Sequence, residues 1–216
     1  MKIKAVIFDM DGVLVDSEPV HFQANKSLFA EYSKRYSLTH VKEFTGQRIV
    51  EEYAKLQKRW SLPDSVNRLV QKRDQLFKSL IENTLELAPG ALELLQFLKK
   101  KKVPVGLGTS ALSWYIDFVM NRFGLREFFP VIVGSDHVKQ GKPHPEVYQK
   151  TGRALGVAPE SCVVLEDALT GVAAAKAAQM ICFAIPGIYT KQLDYSAADK
   201  IFPDLVAVKN HLAKLI

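Results

Sequence analysis

The sequence predicts an α/β fold, in which a parallel sheet lies between two layers of helices and a helical domain is inserted after the first strand. Three observations support this prediction. From residue 85 onward, short apolar runs alternate with helical segments, which indicates parallel strands joined by right-handed crossovers. Between residues 20 and 84 strand-like runs are missing, and apolar residues recur at helical spacing. The 216 residues, 48% of them apolar, can build a full core without disulfides or a structural metal.

The elements follow from apolar runs and from residues that stop helices. The first strand is predicted at 3–8, directly before Asp9. Roughly four helices are predicted between 20 and 84, with a break at 61–64. Gly124 and Gly156 are predicted to end two later helices, and Thr170 to cap a third. Further strands are expected at 103–107, 131–133, 163–165 and 181–184, and further helices at 90–101, from 110 or 111 to 123, at 144–155, 171–178 and about 205–215.

The helical block is too long for the crossover of a simple βαβ unit. We therefore predict two domains: an α/β core formed by residues 1–17 and 86–216, and a helical domain formed by residues 18–85.

Composition narrows the class of protein. The net charge of +6 is modest, and the lysine run at 99–102 lies at the end of a predicted helix, where cations suit the helix dipole. No aromatic residue interleaves this run, so we expect no nucleic-acid partner. Cys162 and Cys182 lie in or beside apolar runs and are predicted to be buried thiols without zinc.

The chain has no run of 18 apolar residues, so we expect no membrane span. Between Lys4 and Asp9 only four apolar residues occur, and this run is too short for a signal peptide. We expect a cytoplasmic protein without a membrane partner, and a monomer.

Two aspartates follow the first strand directly. On an extended chain Asp9 and Asp11 point to the same side, just past the carboxyl end of the strand, which is where ligands bind in open α/β sheets. Two like charges held so close need a divalent cation, a shared proton or a lysine. The alternative is a solvated Asp-Xaa-Asp-Gly turn.

Other strands also end in residues that carry chemistry. Because parallel strands bring their carboxyl ends to one edge of the sheet, we expect these residues to meet there. Carboxylates with oxygen ligands suit Mg²⁺, and a cation with a lysine and a hydroxyl forms a site for a phosphoryl group. The residues are Asp9 and Asp11, Thr109 and Ser110, Lys142 within Gly141-Lys142-Pro143, and Glu166 with Asp167.

Four ordered motifs resemble the haloacid dehalogenase superfamily, in its subfamily IA, which includes β-phosphoglucomutase and small sugar-phosphate phosphatases. The motifs are DMDGVLVDSE at 9–18, Thr109 after an apolar strand, GKPHPEVY at 141–148 and EDALTG at 166–171. The resemblance covers the whole chain. It implies a Rossmann-like core of three α/β/α layers with an inserted helical cap domain, and a Mg²⁺-dependent phosphatase that acts on a small phosphorylated metabolite.

The resemblance also implies roles for individual residues. Asp9 would attack phosphorus and form an aspartyl-phosphate, and Asp11 would act as general acid and base. Thr109 and Lys142 would bind the transferring phosphoryl oxygens. Mg²⁺ would be held by the Asp9 side chain, the backbone carbonyl of Asp11 and Asp167, with Glu166 as a ligand or a supporting residue.

The resemblance implies that the cap supplies specificity. Ser17, Glu18 and His21 would lie near the hinge and the mouth of the site, and the loop 45–48 would reach over it with Gly46 and Arg48, while Ser110 would contact substrate from the core. β-Phosphoglucomutase has a lysine just before the cap-loop glycine, whereas this chain has Thr45. This difference favours a phosphatase over a mutase.

Three other interpretations remain at the level of sequence. Residues 106–111 match G-x-G-x-x-A between a strand and a helix, with Glu127 about 20 residues further on, as in dinucleotide-binding proteins. A receiver-like module would also use an acidic cluster, but it would not need Asp11. A phosphosugar mutase is the alternative enzyme. A Walker-type loop is excluded because Pro143 follows Lys142.

Overall fold

The sheet of the first predicted domain is present, and it is parallel throughout. The computed structural model describes residues 3–44 and 49–216. Within these residues the strands run, in chain order, as β1 (Ala5–Phe8), β2 (Val15–Asp16), β3 (Glu86–Leu87), β4 (Val105–Gly108), β5 (Val131–Val133), β6 (Cys162–Glu166), β7 (Ile181–Ala184) and β8 (Lys200–Ile201). Six of them form one sheet in the order β5-β4-β1-β6-β7-β8, and β2 pairs with β3 in a second, two-stranded sheet.

Strand β1 lies in the middle of the large sheet. Val6 is in register with Val105 on one side and with Val163 on the other, and all four residues of β1 are buried. A short strand that is buried on both faces explains the unbroken apolar run before Asp9. The α/β fold class with a parallel sheet, predicted from the sequence, is confirmed.

Two predicted strands begin later than expected, and the first of them, predicted at 3–8, begins at Ala5. The strand predicted at 103–107 begins at Val105, because the Val103 amide donates to Leu98 O and Lys102 adopts a left-handed φ of 55°, which ends the preceding helix there. Strands β2, β3 and β8, of two residues each, were not predicted. Both residues of β8 are exposed at the edge of the sheet, so no apolar run marks this strand.

The helices agree in number and position with the sequence pattern. They are α1 (Glu18–Ala30), α2 (Leu38–Phe44), α3 (Ile49–Trp60), α4 (Val66–Thr84), α5 (Ala91–Lys100), α6 (Ser113–Arg122), α7 (Glu146–Leu155), α8 (Leu169–Ala177) and α9 (Leu205–Leu212) within the described residues, with short 3-10 turns at Arg126–Phe128, Ser135–His137 and Pro159–Ser161.

Three helix starts differ from the prediction. Helix α6 begins at Ser113, because the Thr109 hydroxyl accepts the Ala111 amide in a turn before the helix. Helix α7 begins after Pro145. Helix α8 follows Ala168, so Thr170 lies in its first turn and does not cap it.

The chain divides into two units, one formed by Met1–Asp16 with Leu87–Ile216 and the other by Ser17–Glu86. The first unit buries apolar residues on the sheet, such as Ile7 and Val164, against residues of α7 and α8. Among residues 3–44 and 49–216, none of the helices combines the length and the hydropathy that a membrane span requires.

The second unit contains α1 to α4 and has its own aromatic core. The ring of Phe29 lies 5.5 Å from that of Tyr36, 5.4 Å from that of Tyr53 and 5.0 Å from that of Trp60. The buried hydroxyl of Tyr53 donates to Asn25 Oδ1 at 2.6 Å. These contacts explain why the block is apolar at helical spacing.

The glycines of the apparent dinucleotide motif have a packing role. A Cβ on Gly106 would lie 2.5 Å from Thr151 Cγ2, and one on Gly108 would lie 3.0 Å from the ring of Tyr148. Both partners belong to α7, which packs closely on β4. Gly106 and Gly108 therefore allow α7 to pack closely on β4. Glu127 is exposed and pairs with Lys99 at 2.5 Å.

Candidate active site

The carboxyl ends of three neighbouring strands bring the predicted site residues together in the first unit. Asp9 follows β1, and its amide donates to Leu165 O in β6 at 3.0 Å. Thr109 follows β4, and its amide donates to Val133 O in β5 at 3.0 Å. After β1 and after β4, the backbone thus continues the hydrogen bonding of the sheet for one more residue. The side chains that follow these strands therefore lie at the same edge of the sheet.

Lys142 lies between two buried carboxylates. Its Nζ donates to Asp9 Oδ1 at 2.7 Å and to Glu166 Oε1 at 2.6 Å. The side chains are 7%, 9% and 1% exposed for Lys142, Asp9 and Glu166, so solvent screens these ion pairs very little. The ammonium also lies 4.7 Å from the ring centroid of Tyr148.

Both oxygens of Glu166 are already occupied by donors. Oε1 accepts from Lys142 and, at 2.5 Å, from the hydroxyl of Tyr148. Oε2 accepts the amides of Asp167 and Ala168, each at 3.0 Å. Gly171 makes the space for this carboxylate, since a Cβ there would lie 1.6 Å from Oε1. A carboxylate offers about four lone-pair sites, so Glu166 is fully hydrogen-bonded within the protein.

Asp9, Glu166 and Asp167 form an acidic triad. One carboxylate oxygen of each lies within 4.8 Å of the other two. Gly12 has a φ of +74°, and a Cβ there would lie 2.0 Å from Asp167 Oδ2, so the loop after β1 can approach Asp167 only with glycine at this position. The sequence therefore correctly predicted that the first aspartate and the later Glu-Asp pair lie together.

The charged groups of this cluster shift one another's pKa values. Lys142 pairs with two of its carboxylates, those of Asp9 and Glu166. Burial raises the pKa of Asp9 to about 7, and the charge of Glu166 adds to the rise, while Lys142 opposes it. Burial works against the charge of Lys142, but the two carboxylates outweigh it and raise the pKa of Lys142. A divalent cation beside these carboxylates would favour their ionised forms.

The side chain of Asp11 contacts a tyrosine, and its charge contributes to the raised pKa of Asp9. Asp11 Oδ1 accepts from the hydroxyl of Tyr115 at 3.0 Å, and the side chain is partly exposed whereas Asp9 is buried. Thr109 is 2% exposed, and Ser110, next to it, is exposed. Thr109 and Ser110 follow β4 in the chain, as the sequence predicts. That these hydroxyl and carboxylate groups act together stays a prediction.

The other predicted substrate-binding residues belong to the second unit or lie outside the described residues. Ser17 is 1% exposed, and its hydroxyl has no hydrogen-bond partner in the described part of the chain. Glu18 is the first residue of α1. The ring of His21 stacks on Phe77 at 4.4 Å, and its Nδ1 contacts the guanidinium of Arg73. The remaining two, Gly46 and Arg48, fall within residues 45–48, which are not described.

Three tyrosines contact the site residues without having been predicted to do so. Tyr148 contacts Glu166 and Lys142, Tyr115 contacts Asp11, and the hydroxyl of Tyr195 donates to the backbone oxygen of Asp167. Only Tyr148 had a signal, because it ends the motif that contains Lys142. Tyr115 and Tyr195 approach from 104 and 28 residues away, so no local pattern marks them.

Both cysteines are buried thiols, as the sequence predicts. Cys162 and Cys182 are free and buried. Burial raises the pKa of the Cys162 thiol to about 11, which keeps it protonated and unreactive near neutral pH.

Comparison with known proteins supports a single family. The model of the haloacid dehalogenase-like hydrolase family matches residues 6–185. A phosphorylated carbohydrates phosphatase of Thermotoga maritima is 36% identical over 176 residues, which cover 82% of each chain. Hexitol phosphatase B of Escherichia coli is 34% identical over 189 residues, which cover 86% of this chain and 84% of the relative.

A solved structure has a similar fold along almost the whole chain. The crystal structure of CbbY from Rhodobacter sphaeroides in complex with phosphate matches with a TM-score of 0.81 and 28% identity, covering 95% of this chain and 96% of that one. With an acidic triad and a lysine at the carboxyl edge of its parallel sheet, the chain belongs to the haloacid dehalogenase-like hydrolase family and is an enzyme of the phosphoric monoester hydrolase type.

Proposed function

We propose that this enzyme is a Mg²⁺-dependent phosphatase that hydrolyses small phosphomonoesters, sugar phosphates or related metabolites, through an aspartyl-phosphate on Asp9. One observation carries the proposal. Asp9 lies at the carboxyl end of the central strand, hydrogen-bonded to Lys142 and grouped with Glu166 and Asp167, in a chain of the haloacid dehalogenase-like family.

The donor set fits Mg²⁺. The triad offers only oxygen atoms, which are the ligands that Mg²⁺ prefers. We assign the ligands to the Asp9 side chain, the Asp11 backbone carbonyl and the Asp167 side chain. Glu166 supports them through Lys142 and the Asp167 amide, because both of its oxygens already accept two hydrogen bonds each. When bound, the cation offsets the repulsion between Asp9 and the phosphate.

Each step of the proposed reaction is assigned to residues of this chain. Lys142 restrains Asp9 and, with Thr109, binds the oxygens of the phosphoryl group. Asp9 attacks phosphorus, so a bond from its carboxylate oxygen to phosphorus forms while the bond to the leaving oxygen breaks. Asp11 gives its proton to that leaving oxygen. It then takes a proton from the water that attacks phosphorus, which releases phosphate and restores Asp9.

The second unit is proposed to act as the cap. We place the boundaries at residues 1–17 with 86–216 for the catalytic core and at 18–85 for the cap, and we assign substrate contacts to Ser17, Glu18, His21, Gly46 and Arg48, with Ser110 from the core. The names of the relatives support a phosphorylated carbohydrate or hexitol as substrate class. The phosphate in the CbbY structure supports a phosphoryl site in this fold.

A phosphate-release screen over many phosphomonoesters, with and without Mg²⁺, tests this proposal. We expect release that depends on the cation. A mutase would instead isomerise a sugar phosphate in the presence of a bisphosphate activator, with little net release. A receiver-like module would hold a stable aspartyl-phosphate. If no phosphomonoester releases phosphate with Mg²⁺ present, the proposal is wrong.

Asp9→Asn tests the nucleophile. We expect it to abolish turnover while circular dichroism and melting behaviour remain those of a folded protein. The control is Asp117→Asn, which removes the charge of an exposed aspartate paired with Arg126 on the surface and should keep full activity. An Asp9→Asn enzyme with wild-type turnover would contradict the assignment.

A further inference from the structure

The side chain of Asp11 is held by a neighbour that the proposed mechanism does not use. Its Oδ1 accepts from the hydroxyl of Tyr115 at 3.0 Å. Asp11 is partly exposed, and a partly exposed carboxylate reaches a fixed position through the contacts that it makes.

Tyr115 is well placed to fix this side chain. Its residue is 5% exposed and lies in the first turn of α6, the helix that follows the Thr109 loop. The start of the helix is itself anchored, because the Ser113 amide donates to Asp136 Oδ2 at 3.3 Å. The loop before it is anchored by the Ser135 amide, which donates to Ala111 O at 2.9 Å. A buried ring on an anchored helix gives the hydroxyl little freedom, so the hydrogen bond selects one position of the carboxylate.

We propose that Tyr115 is a positioning residue for Asp11, holding the general acid and base in place for the leaving oxygen. The inference rests on the proposed phosphatase function and adds a residue to it. Proton transfer requires donor and acceptor within hydrogen-bond reach, so a contact that sets the position of the carboxylate affects the rate. The hydroxyl of Tyr115 therefore contributes to the rate without touching substrate.

The leaving group distinguishes this role from a structural one. An alcohol leaves poorly without a proton, whereas p-nitrophenolate is a stable anion that leaves without one. A residue that acts through Asp11 therefore affects the hydrolysis of an alkyl phosphate but not that of p-nitrophenyl phosphate. A residue that merely supports the fold affects the hydrolysis of both substrates.

The experiment compares Tyr115→Phe with the wild-type enzyme on two substrates: the alkyl phosphate turned over best in the screen, and p-nitrophenyl phosphate. We expect kcat/KM for the alkyl phosphate to fall about tenfold, a fraction of what general acid catalysis as a whole contributes. For p-nitrophenyl phosphate it should change by less than about twofold. Asp11→Asn provides the reference, with a larger loss and the same selectivity.

Tyr32→Phe is the matched control. It removes another hydrogen bond from tyrosine to aspartate, that of Tyr32 to Asp64 Oδ2 at 2.6 Å in the second unit, so the ratio of the two kcat/KM values should stay at the wild-type value. An equal loss on both substrates in Tyr115→Phe, or an alkyl phosphatase activity that is unchanged or higher, overturns the proposal.

A crystal structure gives a readout that does not depend on turnover. In the wild-type enzyme the Asp11 carboxylate should accept the Tyr115 hydroxyl, and in Tyr115→Phe it should leave that position. A wild-type structure in which the two side chains do not meet overturns the inference even if the enzyme is active. A failure of the proposed function appears elsewhere, as a wild-type enzyme that releases phosphate from neither substrate.

Discussion

Replacing Lys142 by methionine tests how the buried charges of the site are balanced. The ammonium lies 2.7 Å from Asp9 Oδ1 and 2.6 Å from Glu166 Oε1, and all three side chains are less than one tenth exposed. Methionine keeps an unbranched chain of similar length but removes the charge. Two carboxylates then stay buried next to each other without a cation.

The expected cost follows from the burial of both partners. Removing one member of a buried ion pair destabilises a protein by roughly 3–5 kcal/mol, mainly because it leaves an uncompensated buried charge. The control is Lys150→Met in the following helix. Lys150 pairs with Glu146 at 2.8 Å, but its side chain is 43% exposed, so loss of that pair should cost about 1 kcal/mol or less.

The loss of stability in Lys142→Met is expected to depend on pH. The pKa of Asp9 is already raised to about 7 while Lys142 opposes the rise, so without Lys142 it must rise further. An acid whose pKa is higher in the folded than in the unfolded state makes the protein less stable as pH rises toward the folded-state pKa. The difference between Lys142→Met and wild type should therefore be larger at about pH 9 than at about pH 6.

Urea denaturation of metal-free protein at both pH values measures these differences. The free energy of unfolding of Lys142→Met should be lower than that of wild type by several times the loss in Lys150→Met. If the two variants lose equal stability, or if the loss in Lys142→Met does not grow with pH, the buried charges are balanced in another way and our reasoning is wrong.

Three further predictions concern the same site. Mg²⁺ should raise the melting temperature more at about pH 8 than at about pH 6, because Asp9, with a pKa of about 7, must lose its proton to bind a cation. An equal rise in melting temperature at the two pH values contradicts this prediction. Gly171→Ala should abolish most phosphatase activity because its Cβ displaces Glu166, whereas Gly152→Ala, whose Cβ first meets the flexible methyl of Met180 at 2.7 Å, should keep it. Tyr148→Phe should lower the unfolding free energy by about 1–2 kcal/mol and raise the Mg²⁺ concentration for half-maximal activity; an unchanged requirement excludes a role for its hydroxyl.

Much of the fold could be predicted because its signals are local. An apolar run of four residues marks β1, and it is unbroken because both faces of the strand are buried. The ends of α6 and α7 were predicted from Gly124 and Gly156, which have φ values of +64° and +69°. Strand β8 could not be predicted, since it consists of two exposed residues that pair only because β7 lies beside them.

The glycines show how a local pattern can mislead. Gly106 and Gly108 match a dinucleotide motif by spacing, but their neighbours are Thr151 and Tyr148 of α7. Glycine next to a strand end serves close approach of any group, and the sequence does not say whether that group is a ligand or a helix.

The sequence by itself determined which chemical groups stand at the strand ends. The aspartate, hydroxyl, lysine and Glu-Asp motifs follow apolar runs, and parallel pairing brings such ends together whatever the details of packing. Only the tertiary structure decided which donor meets which acceptor: that Glu166 is saturated by Lys142, Tyr148 and two amides, and that Asp11 meets Tyr115. Hydrogen bonds depend on tenths of an ångström between side chains up to 104 residues apart, and strand register and helix packing set those distances.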